Sequence, residues 1–115
     1  PVLSVLRQRA RAADLQTNDR IFGLAWSGAI TEERLLALIP LLPPGVSELY
    51  THPATEEAAS MPHGEPGYLY RKELEALTSP RVRAALAANE VALTRFSALG
   101  SARPHVAAEH RATPA

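Results

Sequence analysis

Residues 46–53 read Val-Ser-Glu-Leu-Tyr-Thr-His-Pro, and this stretch decides the fold class. Residues 46–51 are typical of a strand, because Pro43-Pro44-Gly45 ends the element before them and His52-Pro53 ends the run itself. A second run, Arg-Ile-Phe-Gly-Leu-Ala at residues 20–25, is short, apolar and bounded by turn residues, which is typical of a buried strand. We therefore predict two strands, with enough chain between them for a helix.

The chain around these two strands predicts helices. Thr31 is placed as the N-cap of a helix with an acidic first turn and a buried stripe formed by Leu35, Leu36, Leu38, Ile39 and Leu42. Apolar residues at helical spacing predict three more helices, at residues 2–15, 68–77 and 80–88. Ser79 is the expected N-cap of the last helix, and Asn89 is expected to close it in the left-handed conformation.

A third strand is predicted at residues 90–96, which completes the order α-β-α-β-α-α-β. Strands that alternate with helices indicate an α/β fold with a parallel sheet. Because three parallel strands lack cover and edge partners, we expect the C-terminal part of a barrel or of a doubly wound domain. Pro1 stands where Met would begin a complete protein, and it agrees with this expectation. We place the domain at residues 1–99 and a flexible tail at 100–115.

Composition excludes several classes of protein. The chain has 115 residues, of which 46% are hydrophobic and 21% are charged, as in ordinary globular domains. Twelve basic residues balance twelve acidic ones, whereas nucleic-acid-binding proteins usually have a basic excess. No apolar run approaches the ~18 residues that cross a bilayer, so no transmembrane segment is predicted. The absence of cysteine excludes a disulfide framework and a thiolate zinc site, and we expect a cytoplasmic protein.

Among the four histidines, His52 has the position that best suits chemistry. It lies at the carboxyl end of a predicted parallel strand, where α/β folds gather ligands and catalytic groups. Pro53 fixes the path of the chain and helps to aim the imidazole, whose charge changes most easily near neutral pH. His52 is the candidate catalytic residue, and a hydrogen-bonded structural histidine is the alternative. His105 and His110 are expected to be solvated in the tail.

Glu48 and His63 are further candidates for contact with a ligand. Glu48 shares a strand face with Tyr50 and His52, since side chains alternate along a strand, although a solvent-facing carboxylate fits equally well. His63 lies in a long loop, residues 54–67, that is rich in proline and glycine. Loops of this length often line a site, so His63 contacts substrate or a metal at the rim, or is simply exposed.

Glu48 and Glu73 are the two carboxylates that most merit a closer look, and Glu73 has the simpler interpretation. It lies on a predicted helix beside Arg71 and Lys72, and this charge pattern indicates an exposed cluster on the surface. The chain contains no nucleophile elbow, phosphate-binding loop or dinucleotide-binding glycine motif. No two histidines have the spacing of metal ligands. The residues alone therefore predict a partial α/β domain with one histidine of interest.

Five pieces of sequence, at residues 18–28, 48–54, 67–77, 79–83 and 96–99, occur in a familiar order. Together they resemble the C-terminal part of the YdjC-like carbohydrate deacetylases. The stretch Phe-Gly-Leu-Ala-Trp-Ser-Gly at residues 22–28 is most similar to the hopanoid-biosynthesis-associated branch of that family. The resemblance depends on the order of the five pieces, because no single piece is diagnostic.

This resemblance implies a distorted parallel βα-barrel that uses a divalent metal, magnesium or zinc, to remove the acetyl group from an N-acetylated amino sugar. His52-Pro53-Ala54 matches a His-Pro-Gly-like piece of the family pattern, with Ala54 where glycine is common. The resemblance implies that His52 passes a proton to the leaving amine or orients the acetyl group. Trp26, Glu48 and His63 are the candidate substrate contacts.

The resemblance also implies a position for the metal ligands. The acidic Asp-Asp motif and the metal-binding histidines of the family lie in its N-terminal half, and Asp14 and Asp19 do not match them. We expect those elements to precede Pro1, so that this chain holds no metal site and is inactive alone. A non-catalytic α/β interaction module and a fragment of a phosphosugar isomerase-like barrel stay open as alternatives, because β-α repeats do not distinguish chemistries.

Overall fold

The computed structural model describes residues 2–102. In that part of the chain, the helices and strands are α1 (Val2–Ala12), β1 (Arg20–Phe22), α2 (Glu32–Leu38), β2 (Ser47–Leu49), α3 (Tyr70–Thr78), α4 (Pro80–Ala88) and α5 (Phe96–Ala102). Short 3-10 helices occur at Leu24–Trp26, Ile39–Leu41 and Ala58–Ser60. None of the helices within residues 2–102 combines the length and the apolar character that crossing a bilayer requires.

The two strands pair in parallel, which confirms the prediction made from their alternation with helices. The prediction of a buried strand at residues 20–25 is wrong in part, because β1 is only three residues long and its first two residues are exposed. Arg20 lies opposite Ser47, and Phe22 lies opposite Leu49. Beyond the last pair, the backbone N–H of Tyr50 donates to the carbonyl oxygen of Phe22 at 2.9 Å. The carboxyl ends of both strands therefore meet at one edge of the sheet, where the segments that follow them come together.

Local signals set the first residues of α2 and α4 as predicted. The Thr31 hydroxyl accepts a hydrogen bond from the backbone N–H of Arg34, which satisfies a free amide at the start of α2. Ser79 does the same for α4, accepting from the backbone N–H groups of Arg81 and Val82. Pro40 converts the end of α2 into the 3-10 helix Ile39–Leu41, because proline cannot continue the α-helical ladder.

The chain divides into two compact units, and residues 18–92 form one of them. Its core contains one apolar cluster, made by Ile30, Leu35, Ile39, Ala76 and Val82. Partly buried side chains from β2 and from the end of α4 pack against this cluster, including Leu49, Leu86 and Val91. Helices α2, α3 and α4 thus share a core with the carboxyl end of the sheet.

The predicted third strand at residues 90–96 is wrong. Glu90 adopts a left-handed conformation with φ of +55°, and the backbone N–H of Val91 returns to the carbonyl oxygen of Leu86 at 2.9 Å. This is the hydrogen-bonding pattern of a helix C-cap, in which an apolar residue after the turn packs back on the helix. The left-handed residue is Glu90, whereas Asn89, which was expected to take that role, has φ of −102°. The apolar residue Val91 therefore closes α4 instead of joining the sheet.

The other unit contains α1 and α5. Helix α1 buries none of its residues, and its apolar side chains Val2 and Leu3 are 74% and 75% exposed. It ends at Ala12, earlier than the predicted Leu15, because Asp14 is left-handed with φ of +53°. Helix α5 crosses the predicted boundary at residue 99, and His105 and His110 lie outside the described residues. The division into a domain and a tail stays a prediction.

Candidate functional site

His52 lies at the carboxyl edge of the sheet, in the segment that leaves β2. Its imidazole is one quarter exposed and packs between two tyrosines. The centroid of the Tyr50 ring is 4.7 Å from that of His52, and the Tyr68 centroid is 4.9 Å away, both in edge-on arrangements. The imidazole is therefore held by aromatic rings while part of its edge faces solvent.

The segment that leaves β1 holds Tyr68 in place. The Ser27 hydroxyl and the Tyr68 hydroxyl are 2.9 Å apart, within hydrogen-bond distance. Gly28 has φ of +76°, and a Cβ there would lie 2.2 Å from Cγ of Tyr68, so only glycine lets the ring approach this closely. The backbone N–H of Leu69 also donates to the carbonyl oxygen of Gly28 at 2.7 Å. The Trp-Ser-Gly stretch thus holds the Tyr68 ring in the position where it packs on His52.

Glu73 is the residue that links these two segments, and it is fully buried. Its Oε1 accepts a hydrogen bond from the backbone N–H of Ile30 at 3.0 Å, and its Oε2 accepts one from the backbone N–H of His52. Ile30 follows β1 and His52 follows β2, so a single carboxylate joins the segments beyond both strand ends. The same Oε2 is 4.0 Å from Nδ1 of the His52 ring.

The prediction that Glu73 joins an exposed charge cluster is wrong. Its neighbours on α3 do form such a cluster: Lys72 pairs with Glu75 at 3.0 Å, and Arg71 lies 4.0 Å from Glu57. Glu73 points the other way, since it is three residues before the buried Ala76 and so shares its helix face. That spacing was a signal in the sequence, and it outweighs the charge of the adjacent residues.

No hydrogen bond, ion pair or ring contact in the described part of the chain joins Trp26 or Glu48 to His52. Trp26 is 40% exposed, and the Arg34 guanidinium carbon lies 5.5 Å from its ring centroid, a cation–π contact. Glu48 is half-buried, and its carboxylate accepts a hydrogen bond from the side-chain amide of Asn18, which precedes β1. The two substrate contacts predicted at these residues stay predictions.

His63 is exposed in a turn of the long loop. Among the described residues, no hydrogen bond, ion pair or ring contact joins it to the His52 cluster, which consists of His52, Tyr50, Tyr68 and Glu73. The loop itself is tied to α3 by the backbone N–H of Glu65, which donates to the Tyr70 hydroxyl at 2.9 Å. A role for His63 in contact with substrate stays a prediction.

The first turn of α2 carries an exposed carboxylate, Glu33. Hydrogen bonds from its own backbone N–H and from the Thr31 side chain hold the pKa of the Glu33 carboxyl below its usual value. Partial positive charge at a helix N-terminus favours the ionised form in the same direction. Glu33 therefore stays negative well below neutral pH.

A metal site is not formed by this part of the chain. Within residues 2–102, no group of three histidine, cysteine, aspartate or glutamate side chains is placed to hold a metal ion. A divalent metal needs several oxygen or imidazole ligands converging on one point, and His52 and Glu73 alone do not supply them. The donor set that the described residues offer does not fit the metal that the resemblance implies.

Comparison with known proteins gives one match. The model of a protein family described as YdjC-like protein matches residues 1–88, about three quarters of the 115 residues. This match includes both strands, helices α1 to α4, and the His52 cluster. No curated protein and no solved structure matches the chain.

Proposed function

Because the chain belongs to the YdjC-like family, we propose that His52 transfers a proton during hydrolysis of the N-acetyl group of an amino sugar. The family is associated with hydrolase activity of the carbohydrate deacetylase type. Release of an amine from an amide needs a proton on the departing nitrogen, and a positioned imidazole is the side chain that most often supplies one. In this proposal the chain is the C-terminal portion of a distorted βα-barrel.

The position of His52 is the observation that carries the proposal. The imidazole follows a parallel strand, is held between Tyr50 and Tyr68, and keeps one quarter of its surface open. Its Nδ1 is buried, so the accessible edge of the ring is the one that bears Nε2. A proton carrier needs this combination of a fixed ring and one nitrogen that substrate can reach.

The substrate in this proposal is an acetylated amino sugar, and a hopanoid-linked amino sugar is the narrower form suggested by residues 22–28. Tyr50 is 42% exposed beside the imidazole and offers an aromatic face for the sugar ring. Trp26, Glu48 and His63 are the proposed further contacts. A cytoplasmic location is also part of the proposal.

The YdjC-like deacetylases generally use a divalent metal. Since residues 2–102 do not supply a fitting donor set, the proposal assigns the metal ligands to residues outside them, with magnesium and zinc as the two candidates.

The test is acetate release from an N-acetylated amino sugar by the full-length protein and its His52→Gln variant. Glutamine keeps much of the bulk and some hydrogen bonding of histidine but cannot cycle a proton. We expect kcat to fall about 10²–10⁴-fold with an unchanged melting temperature, the usual contribution of a general acid. His110→Gln, outside the family match, is the matched control and should retain the wild-type kcat. A His52→Gln variant with near-wild-type kcat would show that His52 is structural.

A non-catalytic interaction module is the second candidate, and the exposed apolar side chains of α1 favour it. Val5 and Leu6, 46% and 53% exposed, extend the apolar surface begun by Val2 and Leu3. Wild-type full-length protein that releases no acetate from any N-acetylated amino sugar, with magnesium or zinc supplied, would favour the module over the deacetylase.

A further inference from the structure

We infer that Glu73 is a positioning residue that fixes the His52 imidazole as the Nδ1–H tautomer, with Nε2 left free at the open edge of the ring. The tautomer assignment depends on geometry alone. Its consequence for turnover rests on the proposed function, since it concerns the same histidine.

The buried carboxylate of Glu73 is already fixed by two backbone groups. Each oxygen accepts one N–H, Oε1 from Ile30 and Oε2 from His52, so the carboxylate cannot rotate without breaking a buried hydrogen bond. The bond to the His52 amide also fixes the point from which the His52 side chain leaves the backbone. Glu73 therefore sets both the position of the histidine and the charge that its ring meets.

The buried ring nitrogen of His52 faces this carboxylate. Nδ1 has no hydrogen-bond partner among the described residues, and Oε2 of Glu73 lies 4.0 Å from it. Hydrogen bonds of this type form at about 3 Å, so a ring movement of about 1 Å closes the contact. An acceptor-only carboxylate can satisfy Nδ1 only when Nδ1 carries a proton. The other tautomer would bury a lone pair of Nδ1 against a carboxylate oxygen, which is unfavourable in a buried site.

The tautomer decides what His52 can do at its open edge. With the proton on Nδ1, the lone pair of Nε2 accepts a proton from the attacking water as the new C–O bond forms at the acetyl carbon. The same proton then passes from Nε2 to the amine nitrogen as the C–N bond breaks, which gives the free amine and acetic acid, and the acid releases its remaining proton to solvent as acetate. Between these steps the Glu73 carboxylate faces the buried edge of the ring and stabilises the positive charge of the imidazolium.

Ring-nitrogen NMR of histidine tests the assignment without any assay of activity. The sample is the full-length protein with ¹⁵N-labelled histidine, and His52→Gln identifies the signals of residue 52. We expect wild-type protein to show a protonated Nδ1 and an unprotonated Nε2 above neutral pH. A wild-type spectrum with the proton on Nε2 would overturn the inference, whatever the mutants do.

Glu73→Gln then tests the cause. A glutamine amide keeps one acceptor oxygen and places a donor against the other N–H, so the carboxylate charge and one hydrogen bond are lost. We expect mixed tautomers of His52 and a fall in kcat of roughly tenfold or more with little change in KM. Glu75→Gln removes an exposed carboxylate from the same helix and should change neither the spectrum nor kcat.

The outcomes separate this inference from the proposed function. An unchanged tautomer and an unchanged kcat in Glu73→Gln would overturn the positioning role. Full activity in His52→Gln would overturn the proposed catalytic role. The inference that the His52 imidazole is the Nδ1–H tautomer would still be decided by the wild-type spectrum. If Glu73→Gln does not fold, the wild-type spectrum alone decides the inference.

Discussion

Each end of the two-stranded sheet carries a carboxylate that binds backbone amides, but the two carboxylates differ in burial. At the amino end, Asp19 precedes β1, and its Oδ2 accepts from the backbone N–H of Val46 at 2.7 Å. At the carboxyl end, Glu73 accepts from Ile30 and His52. Asp19 is exposed, whereas Glu73 is fully buried beneath α3. Both ends thus use a hydrogen bond from a backbone amide to a carboxylate, which is exposed at the amino end and buried at the carboxyl end.

The difference in burial determines how much the structure depends on each carboxylate. An exposed amide that loses its partner binds water instead, so the cost is small. A buried amide that loses its partner has no replacement, so the structure around Glu73 depends on that carboxylate. The carboxyl end is therefore rigid, and it holds a histidine whose open edge faces out. The amino end joins the strands but fixes no such group.

The largest effect is expected from removing each carboxylate in turn. Glu73→Ala should lower the free energy of unfolding by about 2–5 kcal/mol, because two buried N–H groups lose their acceptors. Asp19→Ala should cost only about 0.5–1.5 kcal/mol, since Val46 can bind water. Urea titration of the full-length protein measures both. Equal losses would mean that burial does not distinguish the two ends.

A glycine at each end gives a smaller and more local comparison. Gly23 and Gly45 both have positive φ, of +93° and +107°, so alanine is strained at either position. An added Cβ at Gly23 would lie 2.7 Å from the Tyr50 carbonyl oxygen, which is backbone, whereas at Gly45 it would meet the Asp19 side chain at 2.6 Å. Gly23→Ala should therefore be the more destabilising by at least about 1 kcal/mol.

The Asp19→Ala background sharpens this second prediction. Removing the Asp19 carboxylate takes away the obstacle at Gly45, so Gly45→Ala should cost less there than in wild type. The cost of Gly23→Ala should not change, since its obstacle is the Tyr50 carbonyl. Two thermal-unfolding double-mutant cycles, each combining Asp19→Ala with one of the glycine substitutions, measure the coupling. A similar coupling for both glycines would contradict the assigned contacts.

The smallest effect concerns Glu33, an exposed carboxylate in the first turn of α2. Its pKa is lowered in the folded protein, so its ionised form stabilises the fold above the pKa of the unfolded chain. This contribution is lost as the pH falls through the folded-state pKa. Glu33→Gln should thus be slightly less stable than wild type near pH 7 and equal to it in acid. Because Thr31 supplies part of the shift, the difference should shrink in a Thr31→Ala background.

The sequence predicted elements well where local signals decide them. The parallel pair of strands and the Thr31 and Ser79 caps follow from local signals and periodicity, and they are confirmed. The prediction of a strand at residues 90–96 was wrong because Val91, an apolar residue with strand propensity, packs back on its own helix after the left-handed Glu90. Strand propensity alone does not say whether a partner strand is present.

The candidate site was predicted only in part, for a different reason. His52 could be singled out because the end of a parallel strand is defined by the chain itself. The partners of Glu73 could not be predicted, because they are amides 43 and 21 residues away that carry no side-chain signature. The packing of Tyr68 over Gly28 is equally nonlocal. Contacts made through backbone groups leave little trace in a single sequence.

Amide hydrogen exchange at Ile30 and His52 tests the central claim, that Glu73 joins the segments beyond both strands, most directly. In the full-length protein both amides should exchange as slowly as that of Leu35, which donates to the Thr31 carbonyl oxygen at 3.0 Å within the core. Glu73→Gln should speed exchange of at least one of the two while Leu35 keeps its rate. Exchange of Ile30 and His52 at the rate of exposed loop amides in the wild type, or rates unchanged by Glu73→Gln, would contradict the account.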